Sequence, residues 1–242
     1  MVGILSDQIK EYLGVIPARG GSRAIPRKNL WPLCGRPLIE YTFDAALNST
    51  RLTRIILSTD DEEIAEVGRQ AGVEVPFMRP TQLASDEAPT LPVVQHLISE
   101  LVAREEYMPD AVVVLQPTSP LRRADHIDEA LSILESQDCD SVVSIVDVPH
   151  QFHPVSVMKI EDGYLVPFLP GEGVNVLRRQ DKSEVVARNG AAIYATKSSV
   201  IMRDSLFGDS CCPLRMLPED SVDIDSMSDM LIAEALIRNR AF

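Results

Sequence analysis

Residues 13–37 run LGVIPARGGSRAIPRKNLWPLCGRP, an apolar run of five that ends at Pro17 and opens into a turn around Gly20 and Gly21. A run this short, bounded by Pro and Gly, predicts a buried strand rather than a helix. Three more β-branched runs follow it: RIILSTD (54–60), AVVVLQP (111–117) and SVVSIVDV (141–148). Being apolar throughout, they have the pattern of parallel strands covered on both faces. Between them, residues 38–47, 62–71, 92–105 and 124–137 carry apolar side chains at spacings of three and four, as amphipathic helices do. The alternation predicts an α/β fold with a mostly parallel sheet flanked by helices. From 149 to 188 the rhythm breaks into prolines, glycines and short extended runs (155–160, 164–168). That interval is expected to be a small β-rich insertion, whose exposed edges call for cover by a second subunit. The regular pattern resumes at AAIYATK, and a last helix is expected over 227–240. The α/β domain is thus expected to span 1–148 and 189–242.

Composition narrows the function. The chain has 242 residues, 45% hydrophobic and 24% charged, which suits one domain plus a small insertion. A net charge of −13 and an aromatic content of 5% argue against nucleic acid and anionic membrane as partners. No apolar run reaches the ~20 residues of a membrane span. Asp7 and Glu11 interrupt any signal-peptide pattern, so the expected compartment is cytoplasmic. The four cysteines, Cys34, Cys139, Cys211 and Cys212, lack metal-ligand spacing and are expected to be reduced packing residues.

Against that acidic background the segment 14–37 stands out. It carries Arg19, Arg23, Arg27, Lys28 and Arg36 and no acidic residue. It follows the first strand, at the end of an α/β sheet where ligands bind. Glycines that permit close backbone approach, together with Arg and Lys, suit a phosphate chain. Neither GxxxxGK[ST] nor GxGxxG is present, which disfavours P-loop hydrolases and dinucleotide dehydrogenases. The plain alternative is a solvated basic loop. A second signal is VDIDSMSD, with Asp223, Asp225 and Asp229. On an extended segment Asp223 and Asp225 point to one side, an arrangement that suits Mg2+ shared with substrate phosphates. The alternative is a cap for the last helix, a role expected of Asp225 or Ser226. A basic loop and an acidic pair at strand ends together point to nucleotidyl or phosphoryl transfer. His96, His126, His150 and His153 have no motif context.

VIPARGGSRAIPRKNL, STDD, RPTQLASDEAPT, LQPTSPLR, RRQ, RNGAAIYAT and DIDS occur in that order. So ordered, the chain resembles the acylneuraminate cytidylyltransferases, which make CMP-activated nonulosonic sugars. The resemblance implies a Rossmann-like nucleotide-diphospho-sugar transferase fold with a dimerisation insertion, and a homodimer whose partner subunit completes the sugar site. It implies CTP contacts at Ala18, Arg19, Gly21, Ser22, Arg23, Lys28, Asn29, Arg79 and Ser85. Sugar contacts are implied at Gln116, Thr118, Ser119, Arg179, Gln180, Asn189 and Tyr194. Asp223 and Asp225 are implied as Mg2+ ligands and, with Arg19 and Lys28, as the catalytic set.

Two departures from the family pattern are visible. Ser22-Arg23-Ala24 stands where Ser-Lys-Gly is common, and Asp181 to Glu184 replaces a segment that usually carries Pro. Arg is a bulkier, more rigid cation than Lys, and Ala lacks the backbone freedom of Gly. The implied reaction is attack of the sugar's C2 hydroxyl on the α-phosphorus of CTP, with pyrophosphate leaving. No residue identifies itself as the general base. The alternatives are a cytidylyltransferase for another acid sugar, such as a 3-deoxy-octulosonate derivative, and a non-catalytic nucleotide-sugar binding module. Relatives that act on 3-deoxy-octulosonate open with a different loop.

Overall fold

The computed structural model describes residues 10–22, 24–85, 88–169 and 183–240. Its elements in chain order begin with β1 (Tyr12–Pro17), the two-residue strands β2 (Pro32–Leu33) and β3 (Arg36–Pro37), and α1 (Leu38–Leu47). Next come β4 (Arg54–Ser58), α2 (Glu62–Gln70), α3 (Thr90–Glu105), β5 (Ala111–Val114) and α4 (Ala124–Ser136). The second half holds β6 (Ser141–Asp147), β7 (Met158–Glu161), β8 (Tyr164–Pro167), β9 (Val186–Arg188), β10 (Tyr194–Lys197), α5 (Ser198–Ile201), β11 (Cys211–Arg215) and α6 (Met227–Arg240).

The main sheet runs β11-β6-β10-β5-β1-β4, with β9 also paired to β6. β1 is parallel to both β4 and β5, the β1–β4 register setting Val15 beside Ile56. Side chains alternate between the two faces. Leu13, Val15, Val112 and Val114 pack against Val94, Leu97 and Ile98 of α3. On the other face Ile16 and Val113 join Phe43 of α1 and Leu131 of α4. Burial on both faces is why these strands are apolar throughout. The chain leaves β1 toward β4 on one side and returns past it to β5 on the other. The order therefore reverses between β1 and β5, and a crevice opens at their carboxyl ends.

One strand departs from the parallel pattern. β10 is antiparallel to both β5 and β6, while β11 is parallel to β6. Among the described residues no crossover α-helix lies between β6 and β10, and the antiparallel pairing means that the chain re-enters the sheet from the end at which it left. That reversal brings the residues just before β10 to the carboxyl ends of β5 and β6. Within the expected insertion, β7 and β8 form a separate antiparallel hairpin. β9, at its far end, returns to the main sheet by pairing Val186–Arg188 with β6. The hairpin leaves Ile160, Tyr164 and Leu165 about three-quarters exposed, at 74%, 75% and 69%. All four cysteines are free thiols. Among the described residues, no helix is long and apolar enough to cross a membrane.

Candidate active site

A third apolar cluster, Ile25, Leu33, Leu38, Ile224, Met230 and Ala233, joins two stretches far apart in sequence. Ile25 belongs to the basic loop, Ile224 to the acidic segment, and Met230 and Ala233 to α6. Burying an Ile side chain is worth about 1.5–3 kcal/mol, so these contacts hold the loop and the acids on one wall. Lys28 closes the joint: its ammonium donates to the Ile224 carbonyl at 2.7 Å and lies 3.3 Å from Asp225 Oδ1.

The cleft between the β1 and β5 loops has a volume of about 250 Å3. Arg19, Gly21, Ser22, Lys28, Asn29, Arg79, Ser85, Gln116 and Thr118 all line it. The loop's shape comes from hydrogen bonds that reach β4's carboxyl end. Gly20 donates its N–H to Asp60 at 3.1 Å, and Asn29 Nδ2 donates to the Arg19 carbonyl at 3.0 Å. A Cβ on Gly20 would stand 2.5 Å from Asp61 Oδ2, so this position needs glycine.

Not every cation of the loop faces the cleft. Arg27, in left-handed backbone, pairs with Asp61 at 2.7 Å and with Glu63. Arg36 pairs with Glu40 and Asp44. These two cations fasten the loop's outer side. Arg19 and Arg79 face inward, Arg19 donating to the Ser85 carbonyl at 2.8 Å. Arg79 is buried, 3.9 Å from Asp60, and its Nε and one Nη have no hydrogen-bond partner. Burial lowers its pKa, against the pull of Asp60 and with the push of Arg19. Two repelling guanidiniums in a small polar cleft favour a polyanionic ligand.

The acidic segment lies beside the loop, next to Lys28 and Thr118. Ile224 points into the core, and its N–H donates to the Thr118 carbonyl at 2.8 Å. Asp223 and Asp225 flank it, but their surroundings differ. Asp225 is exposed, whereas Asp223 is half-buried, its Oδ1 buried and unpartnered. Burial raises the Asp223 pKa above the usual carboxylate range; a Thr118 hydrogen bond opposes this and the Asp225 charge adds to it. The helix cap falls elsewhere. Ser226 and Asp229 exchange hydrogen bonds at the start of α6, a capping box that leaves both Asp223 and Asp225 outside it.

Between β9 and β10, residues 189–193 loop out from β6 and reach the same place. Gly190 has φ +78°, and a Cβ there would fall 2.1 Å from Asp223 Oδ2. Asn189 is buried and donates to Ser221 Oγ at 2.9 Å, leaving its own Oδ1 without a partner. Ser119 Oγ is likewise buried and unpartnered. Three orphaned polar atoms, on Ser119, Asn189 and Asp223, thus occur on the segments that converge here.

The remaining expected site residues lie apart from this cleft or outside the description. Ala18 is buried beneath it, its N–H donated to the Ser58 carbonyl at 3.0 Å, so that donor is not free for a base. Tyr194 is half-buried in β10, edge-on to Phe207. Arg23, Arg179 and Gln180 lie outside the described residues. Sequence reasoning missed Asp60, which anchors the Gly20 amide, and Gly190, whose missing side chain makes room for Asp223. The STDD run was a signal for the first. The NG pair, a turn signature, was one for the second.

The structure of a CMP:2-keto-3-deoxy-manno-octonic acid synthetase complexed with CTP superposes with a TM-score of 0.71 at 16% identity, covering 96% of this chain and 100% of that one. At that identity the likeness establishes the fold alone, a Rossmann-like α/β architecture. Sequence carries the assignment further: the family described as Cytidylyltransferase matches residues 13–160, and the chain belongs to it. The N-acylneuraminate cytidylyltransferase of Streptococcus agalactiae serotype III is 33% identical over 90% of this chain, which spans about half (51%) of that relative's length. The CMP-N,N'-diacetyllegionaminic acid synthase of Legionella pneumophila is also 33% identical, covering 93% of this chain and 95% of its own.

Proposed function

We propose that the protein transfers CMP from CTP to the anomeric hydroxyl of a nonulosonic, sialic-type acid and releases pyrophosphate. The observation that carries this reading is the cleft faced by Arg19, Arg79 and Lys28, with a half-buried carboxylate, one oxygen of it buried and unpartnered, on the adjoining segment. Relatives named for sialic-type and legionaminic acids support the acceptor class.

The chain's own residues divide the work. Arg19 and Lys28 bind the phosphates and stabilise charge that builds on the departing pyrophosphate. Gly21, Ser22 and Asn29 shape the loop around the triphosphate, while Arg79 and Ser85 lie where the nucleoside would enter. Gln116, Thr118, Ser119 and Asn189 orient the acceptor so that its C2 hydroxyl lies in line with the α-phosphorus; bringing reactants together in this way is a large part of such catalysis. The donor set suits Mg2+: Asp223 and Asp225 present hard oxygens on either side of Ile224, one of them unpartnered. Among the described residues no group of three or more His, Cys, Asp or Glu could hold a metal ion by itself. The two carboxylates would therefore hold the ion jointly with substrate phosphates. When bound, the ion supplies Lewis acidity and neutralises phosphate charge.

The exposed apolar β7–β8 hairpin supports assignment of 149–188 as a dimerisation insertion, and with it a homodimer whose partner completes the sugar site. A biosynthetic nucleotidyltransferase with four free thiols is assigned to the cytoplasm. The test is pyrophosphate release with CTP, Mg2+ and a panel of nonulosonic acids plus 3-deoxy-octulosonate, with ATP, GTP and UTP as controls. Release confined to CTP and one nonulosonic acid is expected. Release with 3-deoxy-octulosonate alone would reassign the acceptor. A CTP-induced rise in melting temperature with no release would leave only a binding module.

A further inference from the structure

The chemistry above makes no use of Arg122, the last residue of LQPTSPLR, yet it is among the most thoroughly buried cations, at 3% exposure. Burial alone shifts its pKa, down to about 9, with no carboxylate among the described residues offsetting it. A buried, unpaired cation is costly, so the hydrogen bonds that retain it matter. Nη1 donates to the carbonyls of Gln116 at 3.1 Å and Ala192 at 2.8 Å, and Nη2 donates to Thr42 Oγ1 at 2.6 Å. The first two acceptors belong to different segments: the turn that carries Gln116, Thr118 and Ser119, and the loop-out that carries Asn189. Two successive residues of that loop-out have left-handed backbone, Gly190 at φ +78°, which glycine adopts freely, and Ala191 at φ +65°, where the strain lies. A non-glycine residue in left-handed backbone persists only where its surroundings hold it. The direct backbone tie between the segments, Gln116 N–H to the Ala191 carbonyl, is long at 3.4 Å.

We propose that Arg122 is a positioning residue: its guanidinium clamps the Gly190–Ala191 loop-out to the 116–119 turn and so places Asn189 and Asp223 for the acid-sugar acceptor. This rests on the function proposed above. The clamp needs a planar fork serving three acceptors at fixed angles, which a Lys ammonium does not reproduce.

The test compares wild type, Arg122→Lys, Arg122→Met, and each variant combined with Ala191→Gly, which relaxes the strained residue. Amide hydrogen exchange by mass spectrometry is read at 189–193 and, as internal controls, across β1 and α2. Acceptor kcat/KM and CTP Kd are measured well below each melting temperature. The clamp predicts exchange at 189–193 faster by about tenfold in Arg122→Lys with β1 and α2 unchanged. It also predicts acceptor kcat/KM down about a hundredfold against a CTP Kd within about threefold, with partial recovery on adding Ala191→Gly. A purely structural role would raise exchange across the sheet and leave acceptor KM untouched. Unchanged exchange at 189–193 in Arg122→Lys would overturn the proposal even if Arg122→Met failed to fold. Should wild type release pyrophosphate with no acid sugar, the functional reading fails, and the exchange comparison still decides for or against the clamp.

Discussion

The two ends of the central sheet each carry a cavity, and the larger one is the less reactive. At the amino ends of β1 and β5 a cavity of about 520 Å3 is lined by Lys10, Tyr12, Asp110, Glu135, Asp138 and Lys197 among others. The carboxyl-end cleft is about half that volume. At the amino end the charges satisfy one another. Glu135 takes Tyr12, Arg51 and Lys10, Asp138 takes Lys197 at 2.7 Å, and Asp110 accepts the Glu11 N–H at 2.8 Å. Ser198 Oγ is the buried polar atom left over among its lining residues. At the carboxyl end, Arg79, Ser119, Asn189 and Asp223 all keep buried polar atoms without partners. Leaving such groups unpaired costs about 1–3 kcal/mol each, a penalty that a bound polar ligand relieves. Unpaired polarity, more than volume, distinguishes a site from a void.

Substitution at Asp223 is the sharpest way to break that contrast. Asp223→Asn removes an ionised group from a half-buried position, so the ligand-free protein should melt higher at neutral pH. Turnover should fall about a thousandfold, with CTP Kd changed by no more than about threefold. Asp225→Ala, at an exposed carboxylate, should repeat the split between turnover and affinity with little change in melting. Equal losses in kcat and CTP affinity for both variants would deny these acids a role specific to the transition state. Gly190→Ala comes next. Its Cβ would collide with Asp223 at a backbone angle that costs about 1–3 kcal/mol for non-glycine residues. Activity should fall about a hundredfold, accompanied by a lower melting temperature. An active Gly190→Ala protein would mean that Asp223 need not sit where it does.

Much of this end was legible in the sequence, because its anchors are local. Leu13 to Pro17 is apolar on both faces, and the cations after it stand out in an acidic chain. α1 and α6 fall at the boundaries expected from periodicity, since their buried positions recur at helical spacing. Long-range pairing is what stayed hidden. Nothing local to Arg27 shows that Asp61 and Glu63 neutralise it, since those contacts follow from how the loop packs against α2, whereas the partners of Arg36, Glu40 and Asp44, lie close by in sequence. The antiparallel entry of β10 depends on the path taken after β6, which no run of side chains encodes. Asp225 and Asp229 look alike in the string VDIDSMSD; only the turn into α6 commits the Asp229 carboxylate to the Asp225 and Ser226 N–H groups and leaves the Asp225 carboxylate outside the cap.

Arg79→Met is the next smaller effect. Replacing a buried, partly unpartnered guanidinium with an apolar chain of similar length should raise the melting temperature while weakening CTP binding about tenfold. Calorimetric titration and thermal melting read the two quantities separately. A variant that lost stability without losing affinity would show that Arg79 serves the fold.

The smallest effect on chemistry is expected at the amino end, where Glu135→Gln tests whether paired polarity there is purely structural. Hydrogen bonds from Tyr12 and then Arg51 hold the Glu135 carboxyl at a pKa of about 2, below its ordinary 4.5. A carboxylate whose folded pKa is depressed stabilises the fold above its unfolded pKa, and that contribution disappears as pH falls through the folded value. The melting-temperature gap between wild type and Glu135→Gln should therefore be steady from about pH 8 to 5 and close between about pH 4.5 and 2. Glu135 is partly exposed to solvent, so the gap should also shrink in high salt. Pyrophosphate release at neutral pH should stay within about twofold of wild type, because no group of the carboxyl-end cleft contacts this cluster. A gap undiminished at pH 2.5 would assign the stabilisation to packing of the side chain rather than to its charge. A large loss of turnover would couple the two ends of the sheet and remove the distinction between them.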